Sequence, residues 1–229
     1  MPEDASSYLQ LISLAVHELR TPASVVAGYL RMLLRDGDHP LDARQRRMLE
    51  EAERSCGRLT AIIAELSEIQ KLDADRITMG AQAFDLFAVA GRVADGVHEA
   101  DDRGVRLEAR GPSDGAPMRG DLTRIERALS AIFRAIVREM PTRTLVACER
   151  RLVAEGGSTS AVLVIAADSD VQASYASGVA PFNEQRGGLG LALPLARRVI
   201  ERHGGRLWAP RLEDRQGAVV SLPLVPAGG

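Results

Sequence analysis

A histidine, a carboxylate and a hydroxyl lie within one helical turn of each other in residues 17–22, whose sequence is HELRTP. A histidine side chain that is partly neutral near pH 7 offers a ring nitrogen as a nucleophile. The carboxylate of Glu18 can fix the tautomer of the His17 ring or accept its proton, and the hydroxyl of Thr21 can hold water or a phosphoryl oxygen. These residue types at this spacing permit nucleophilic chemistry at His17; the alternative is an ordinary surface histidine, which is the commoner role of a lone histidine on a helix.

The apolar residues around this group repeat in steps of three and four, which predicts a helix that packs an apolar stripe on other helices. The stripe consists of Leu9, Ile12, Val16, Leu19, Ala23, Val26, Leu30 and Leu33. With these residues at heptad positions a and d, His17, Glu18 and Thr21 occupy positions b, c and f and are expected to face solvent. Pro22 removes a backbone donor, so a kink or a looser turn is expected just after the group.

The N-terminal part is predicted to be an antiparallel pair of helices. The first helix is expected over residues 7–35, and the second begins near Asp42, a residue type that caps helices. The second helix carries its own stripe, Leu49, Ala52, Cys56, Leu59, Ile63 and Leu66. Two such helices cannot bury both stripes alone, so pairing with a second copy in a four-helix bundle is expected. The alternative is a monomeric pair packed on the rest of the chain.

Composition and charge exclude several classes of function. The chain has 229 residues and a formal net charge of −2, which gives no general attraction to nucleic acid or to an anionic membrane. Few aromatic residues are available to stack on bases, so nucleic-acid binding is not expected. Cys56 and Cys148 lack metal-ligand spacing, which fits buried thiols in a reducing cytoplasm. No apolar run has the length of a membrane span, and the first residues do not form a signal peptide.

The rest of the chain alternates strand and helix patterns. The expected helices cover residues 86–102, 121–139 and 191–203, and the expected strands cover residues 105–109, 145–153, 161–167, 206–209 and 218–224. Runs of strands with a few helices predict an α+β layered sandwich. The expected domains are therefore residues 1–76 and 77–229.

Three glycines precede the last predicted helix, in residues 187–193 (GGLGLAL). Glycine lets the backbone approach a phosphate, while the N-terminus of the following helix presents free N–H donors. Gly187, Gly188, Leu189 and Gly190 are therefore candidate contacts for a phosphate.

The HELRTP motif matches the phosphoacceptor motif of the two-component sensor histidine kinases, and the chain resembles that family in both halves. The resemblance implies that His17 carries a phosphoryl group that is exchanged with an aspartate of a response-regulator receiver domain. It further implies that Glu18 assists proton transfer, that Thr21 positions water, and that the N-terminal helices form a homodimer. Sensor kinases usually carry an input domain before the histidine, so the chain is expected to be a fragment or a sensorless protein.

The same resemblance implies that residues 77–229 form a divergent ATP-binding domain of the histidine-kinase type. Asp168 corresponds to the aspartate that binds the adenine amine, and Arg138 to a basic position that contacts phosphate. The positions of the asparagines expected to bind Mg²⁺ hold Ala131 and Ala135, and alanine has no oxygen to offer a metal. ATP is therefore expected as a weakened ligand, and Mg²⁺ binding is left in question.

Three interpretations remain open, and they differ in whether ATP binds and whether His17 is phosphorylated. The first is a dimeric histidine kinase that phosphorylates itself with ATP, the family default. The second is a phosphorelay transferase or regulator phosphatase that uses His17 without ATP. The third is a pseudokinase that binds a partner without chemistry. The short expected nucleotide lid, between Asp168 and Gly187, does not decide among them.

Overall fold

The structure is a computed structural model that describes residues 2–211 and 217–224. The chain divides into two compact units, Met1–Ile77 and Thr78–Gly229. The first unit is a hairpin of two long helices, α1 (Pro2–Arg35) and α2 (Ala43–Asp73). The second unit combines a mixed sheet with helices, so the α+β class predicted from the sequence is confirmed.

The two helices of the hairpin begin and end close to the predicted positions. Helix α1 starts five residues before the predicted start and continues through Pro22, so the looser turn expected there does not end it. Asp42 caps α2 as predicted: its carboxylate accepts hydrogen bonds from the backbone N–H groups of Arg44 and Gln45, at 2.7 and 2.8 Å. The side chain of Gln45 accepts the N–H of Asp42 in return, which completes a capping box.

The apolar stripe of α1 is buried only in part within one chain. Val16 is buried and Ala23 and Leu30 are half-buried, whereas the d positions Leu19 and Val26 are more than half exposed. The side chain of Leu9 lies outside the described part of the chain. On α2, Cys56 and Ile63 are buried but Leu59 of the predicted stripe is exposed. A large apolar surface of the hairpin therefore remains open to solvent in a single copy.

The second unit is built on a six-stranded sheet with the order β2-β4-β5-β8-β7-β6, in which only β2 and β4 are parallel. A separate two-stranded ribbon pairs β1 with β3. The strands are β1 (Gln82–Asp85), β2 (Arg106–Arg110), β3 (Pro117–Gly120), β4 (Leu145–Glu155), β5 (Ser158–Ala167), β6 (Val179–Ala180), β7 (Arg206–Pro210) and β8 (Gly217–Pro223). The helices are α3 (Leu86–Asp95), α4 (Leu122–Glu139), α5 (Val171–Ala176) and α6 (Ala192–Arg202).

Helices α3, α4 and α6 pack together, and α3 lies on one face of the sheet. The side chain of Arg150, on β4, lies on this face: its Nη1 donates to the carbonyl of Phe87 in α3 at 3.0 Å. Arg150 is buried and also donates to the carbonyls of Arg110 and Gly111, so its side chain holds the end of β2 against α3. Leu163, directly opposite Arg150 on β5, faces the same side.

Helix α5 lies on the other face of the sheet. Val171 belongs to one apolar cluster with Val162 and Val164, which alternate with Leu163 along β5 and therefore point away from α3. The side chain of Gln172 accepts a hydrogen bond at 2.6 Å from Arg151, the residue opposite Val162. Helix α5 was not predicted, because a six-residue helix is too short to show a helical period.

Two other elements differ from the prediction. Helix α3 ends at Asp95 instead of continuing to residue 102, because Gly96 caps it and the chain then forms a 3-10 turn at Asp101–Arg103. The strand β3, which lies between the predicted strand over residues 105–109 and the predicted helix from residue 121 and was not predicted, pairs with β1. The predicted β4–β5 hairpin, the α4 helix and the last helix and strands are confirmed.

The N-terminus of α4 is held by a buried hydrogen-bond network. The carboxylate of Asp121 accepts the N–H groups of Gly80, at 3.0 Å, and of Arg124, at 3.1 Å. The N–H of Asp121 donates to Nε2 of His203, whose Nδ1 lies 2.7 Å from the carbonyl of Val199. Nδ1 must therefore carry the proton, and His203 ties α6 to α4 as well as ending α6.

Both cysteines are buried, as predicted, and neither forms a disulfide. The thiol of Cys56 donates to the carbonyl of Ala23 at 3.4 Å, which joins the two helices of the hairpin. Burial raises the pKa of Cys148 to about 12, although the nearby Arg150 guanidinium acts in the opposite direction. Within the described residues, no helix has both the length and the apolar character needed to cross a membrane.

The network at Asp121 predicts a pH-dependent contribution to stability. Burial would raise the pKa of Asp121, but the N–H groups of Gly80 and Arg124 and the Arg124 guanidinium outweigh it and hold the pKa below 3.8. Because the pKa of Asp121 is lower in the folded than in the unfolded protein, its carboxylate stabilises the fold fully when the pH is above the unfolded-state pKa. This stabilisation is lost as the pH falls through the folded-state pKa. We expect Asp121→Asn to lower the free energy of unfolding by about 1 kcal/mol at pH 7 and by much less below pH 3.

Urea unfolding at a series of pH values measures this difference. Asp102→Asn, which removes an exposed carboxylate from the same unit, is the matched control and should change stability little at any pH. If the loss of stability caused by Asp121→Asn grows as the pH falls below 4, the Asp121 carboxylate is not the stabilising group.

Candidate functional site

The His17 side chain projects into solvent from α1, as the heptad pattern predicts. It is 77% exposed, and Glu18 beside it is 71% exposed. Nδ1 of His17 lies 3.5 Å from Oε1 of Glu18, which favours the tautomer with the proton on Nδ1 and leaves the lone pair of Nε2 open to solvent. Thr21, one turn further along α1, is also exposed. The predicted chemical group therefore occupies one accessible surface.

A groove of about 560 Å³ between α1 and α2 is bordered by His17. Three basic side chains line the same groove: Arg20 from α1, Lys71 from α2, and Arg76 just after α2. Among the residues that the structure describes, none of these three has a carboxylate partner within ion-pair distance. In the second unit, by contrast, cations such as Arg134 are paired with carboxylates.

Sequence reasoning did not identify Lys71 and Arg76 as part of this surface. The predicted antiparallel hairpin could have identified them, because it places the C-terminal end of α2 beside the N-terminal half of α1. Three unpaired cations beside an exposed imidazole favour an anionic group at this position.

The glycine-rich segment, residues 186–190, adopts a backbone that requires glycine. Gly187, Gly188 and Gly190 have φ angles of 68°, 61° and 63°, in the left-handed region. Arg138, in the last turn of α4, donates from Nη1 to the carbonyl of Gly187 at 3.0 Å. Two of the predicted phosphate-binding positions, Arg138 and Gly187, thus lie together but are bonded to each other.

The two alanines at the predicted metal-binding positions are in the interior of the second unit. Ala131 and Ala135 are both buried on α4. Gly187 packs directly on this helix: a β-carbon at Gly187 would lie 2.8 Å from the Cα of Ala135. The glycine-rich segment therefore occupies the space next to Ala135 into which an asparagine side chain would extend.

Glu139, the residue after Arg138, binds the glycine-rich segment through both carboxylate oxygens. Oε1 accepts the backbone N–H of Gly187 at 2.9 Å, and Oε2 accepts Nε of Arg186 at 2.8 Å. The Arg186 side chain is only 8% exposed and also donates to the carbonyl of Gly217 at 3.1 Å. Sequence reasoning missed this pair because nothing in the spacing of Glu139 and Arg186, 47 residues apart, indicates a contact.

Asp168, the predicted adenine-binding residue, follows β5 in a 3-10 turn. Its carboxylate is 43% exposed and forms an ion pair with the guanidinium of Arg110, on β2. The first part of the expected lid forms α5, which packs on the face of the sheet opposite to α3. Asp168 therefore has a cationic partner within the chain, and α5 is held away from the helical layer.

The contacts of Ala131, Ala135, Arg138 and Gly187 bear on whether Mg²⁺ and ATP can bind to the second unit. Alanine supplies no metal ligand at positions 131 and 135, and the described residues contain no group of three or more His, Cys, Asp or Glu suited to a metal ion. The N–H of Gly187 and the guanidinium of Arg138 already have partners inside the chain. The residues at the expected metal positions therefore do not fit Mg²⁺, and two of the expected phosphate contacts are engaged within the chain.

A hairpin that presents an exposed histidine, followed by an α+β sandwich with a glycine-rich segment before its last helix, defines the histidine-kinase class of phosphotransfer proteins. Residues 7–75 match the family model of the His Kinase A (phospho-acceptor) domain. The chain is 31% identical over 224 residues to the sensor protein CutS of Streptomyces coelicolor, covering 92% of this chain and 51% of CutS. It is 22% identical over 215 residues to the sensor protein VanS of Enterococcus faecium, covering 92% of this chain and 56% of VanS.

The chain belongs to the two-component histidine kinase family. It spans about half the length of the curated relatives it matches. Full-length ShkA, solved in complex with AMPPNP, shares the fold with a TM-score of 0.67 and 19% identity, over 94% of this chain and 45% of ShkA. The Acinetobacter baumannii histidine kinase AdeS shares it with a TM-score of 0.59 and 19% identity, over 91% of this chain and 98% of AdeS.

The close packing of Gly187 on α4 predicts different effects for alanine at two neighbouring glycines. Both Gly187→Ala and Gly188→Ala place a side chain in the left-handed region, which costs about 1 kcal/mol. Only a β-carbon at Gly187 meets α4, since no atom lies within 4 Å of one at Gly188. We expect Gly187→Ala to be the less stable variant by a further 1–3 kcal/mol, roughly the cost of overpacking a core.

Urea unfolding of the two variants measures this difference directly, and Gly188→Ala serves as the control for backbone strain. Equal stability of the two variants would contradict the packing of the glycine-rich segment on Ala135.

Proposed function

We propose that this chain is a histidine phosphotransfer protein of a two-component system, in which His17 carries a phosphoryl group exchanged with an aspartate of a receiver domain. The observation that carries the proposal is the exposed His17 ring, whose Nδ1 faces Glu18 and whose Nε2 is open to solvent. A cytoplasmic location is part of the proposal, because receiver domains act there in this family.

The transfer step follows from this geometry. Nε2 of His17 attacks the phosphorus of an aspartyl phosphate, the N–P bond forms, and the P–O bond to the aspartate breaks to release its carboxylate. The ring becomes positively charged with the proton still on Nδ1, and the carboxylate of Glu18 stabilises this charge or takes the proton. Return of the phosphoryl group to an aspartate reverses these changes.

The groove beside His17 supplies the electrostatic part of the proposal. Arg20, Lys71 and Arg76 place three positive charges along the surface that a phosphorylated His17 would border. A phosphoryl group carries about two negative charges near pH 7, and its attraction to nearby cations lowers the free energy of the phosphorylated state. Thr21 is proposed to position the water that removes the phosphoryl group when the regulator is dephosphorylated.

The proposal includes a homodimer through the hairpin. All large exposed apolar side chains of the described residues except Leu152 and Val179 lie on this hairpin. The exposed d positions Leu19, Val26 and Leu33 form one line along α1, as expected for a surface that a second hairpin covers in a four-helix bundle. A contiguous apolar surface of this extent is uncommon on a monomer.

ATP-dependent autophosphorylation, which the resemblance implies, is not part of this proposal. What supports leaving it out is that Ala131 and Ala135 offer no oxygen to Mg²⁺ and that Glu139 already binds Arg186 and the N–H of Gly187. The pseudokinase alternative shares the same fold and differs only in predicting that the imidazole of His17 has no chemical role.

Phosphorylation of the full chain with the small donor phosphoramidate tests the role of His17. We expect a ³¹P NMR signal of phosphohistidine in the wild type that disappears in His17→Ala. His39→Ala is a closely matched control, because His39 is also exposed and lies 3.3 Å from a carboxylate, that of Asp36. We expect Glu18→Gln to slow phosphorylation at least about tenfold, since it removes the group that stabilises or accepts the Nδ1 proton.

A wild-type chain that gains no phosphohistidine signal would favour the pseudokinase, and loss of the signal in His39→Ala instead of His17→Ala would place the chemistry elsewhere. Transfer to a receiver domain is then measured by mixing the phosphorylated chain with response regulators and following label on the regulator.

The dimer is tested by light scattering. We expect the wild type to have twice the chain mass of 24.6 kDa, and Val26→Asp to shift the protein toward the monomer because it places a charge in the buried centre of the bundle. Leu152→Asp, at an exposed apolar position of the second unit, is the control and should leave the mass unchanged. A wild type that is monomeric at micromolar concentration would exclude the bundle.

A further inference from the structure

The glycine-rich segment is bound by an anion that belongs to the chain itself. A carboxylate and a phosphate are both oxyanions and both accept backbone N–H groups and arginine side chains. Glu139 makes both types of contact, to the N–H of Gly187 at 2.9 Å and to Nε of Arg186 at 2.8 Å. Two donors that a nucleotide phosphate could use, the N–H of Gly187 and the guanidinium of Arg186, therefore have a ligand when no nucleotide is bound.

Breaking these contacts is costly. The Arg186 side chain is only 8% exposed, and its guanidinium would lose the carboxylate of Glu139 if Glu139 moved away. Arg138 adds a second restraint, because its Nη1 donates to the carbonyl of Gly187 at 3.0 Å and its Nη2 lies 3.3 Å from Glu99. A nucleotide phosphate would have to replace several contacts at once to gain the same donors.

The side of the segment that faces α4 is closed to a nucleotide as well. Gly187 rests on Ala135, so no gap separates the segment from α4 at this point. Helix α5, which occupies the expected lid region, is fixed to the far face of the sheet by buried Val171 and by the 2.6 Å hydrogen bond from Arg151 to Gln172. These observations are independent of the Glu139 contacts and point to the same conclusion.

We propose that the carboxylate of Glu139 is the resident ligand of the glycine-rich segment and that it excludes Mg²⁺·ATP from the second unit. The proposal goes beyond the role of His17 and does not depend on it. Combined with the proposed function, on which this last step rests, it also gives the chain a place in a reaction sequence: the phosphoryl group on His17 comes from an acyl phosphate on a receiver domain, so a different kinase must consume the ATP.

The test uses the full chain, titrated with ATP in the presence of Mg²⁺ by calorimetry, together with amide hydrogen exchange of residues 186–190. We expect no binding heat at millimolar Mg²⁺·ATP and slow exchange at Gly187 without nucleotide. Glu139→Ala should speed that exchange at least about tenfold and lower the melting temperature by roughly 5–10 °C. Glu126→Ala is the control on the same helix, since Glu126 pairs with the exposed Arg92 at 3.0 Å.

Two results would overturn the proposal. The first is binding of Mg²⁺·ATP to the wild type with a Kd below roughly 1 mM, or transfer of label from ATP to His17. The second is equal exchange at Gly187 in Glu139→Ala and Glu126→Ala. Should Glu139→Ala not fold, Glu139→Gln keeps an acceptor for the Gly187 N–H but removes the charge that Arg186 requires, and it should still lower the melting temperature more than Glu126→Gln.

His17→Ala separates this proposal from the phosphotransfer function. It should match the wild type in ATP titration and in exchange at Gly187, whereas only phosphoramidate labelling depends on His17. If labelling fails while exchange at Gly187 is slow, the phosphotransfer function is rejected and the role of Glu139 is retained. If labelling succeeds while exchange at Gly187 is fast, the role of Glu139 is rejected and the phosphotransfer function is retained.

Discussion

Helix α4 and the glycine-rich segment approach each other so closely that only small residues fit between them. Ala135 on the helix and Gly187 on the segment are both at this contact, and a β-carbon at Gly187 would lie 2.8 Å from the Cα of Ala135. The close approach brings the backbone N–H of Gly187 within reach of Glu139, at the end of the same helix. The loss of asparagine at position 135 and the internal carboxylate ligand are therefore two parts of one arrangement, because a longer side chain on α4 would hold the segment away from Glu139.

The two units make different physical demands on their residues. In the hairpin, the proposed chemistry requires only that His17 be accessible and that Glu18 lie beside it, and both conditions follow from the heptad positions of these residues. In the second unit, nucleotide binding would require unpaired donors, an oxygen ligand for a metal and a lid on the correct face. In that unit, two side chains expected near a nucleotide, Asp168 and Arg186, are instead paired within the chain with Arg110 and Glu139.

Local sequence signals predicted the elements that depend on local interactions. The caps at Asp42 and Asp121, the hairpin between β4 and β5, and the outward orientation of His17 all follow from residue type and spacing. The length of α3 was predicted wrongly because apolar residues continue beyond Gly96, where Val97 and Ala100 are buried in turns and not in a helix. Helix α5 and its position on the far face of the sheet depend on tertiary packing, which no short-range pattern records.

The same distinction applies to the candidate site. The HELRTP motif identified the histidine, but the cations from α2 were not predicted, because their proximity depends on how the hairpin closes. Likewise, the motif positions Arg138 and Gly187 were found from the sequence, while the fact that they bind each other was not. A side chain of the expected type at the expected position does not establish that its hydrogen-bonding groups are available.

The groove beside His17 has a practical consequence that comes from the composition of the chain. Lys71 is the only lysine among the 229 residues, and its side chain is exposed along this groove. An amine-directed fluorophore will therefore attach to the protein at this one side chain, apart from the α-amino group. Such a label removes the positive charge of Lys71 but needs no engineered cysteine, and its emission would report the docking of another surface at the neighbouring imidazole.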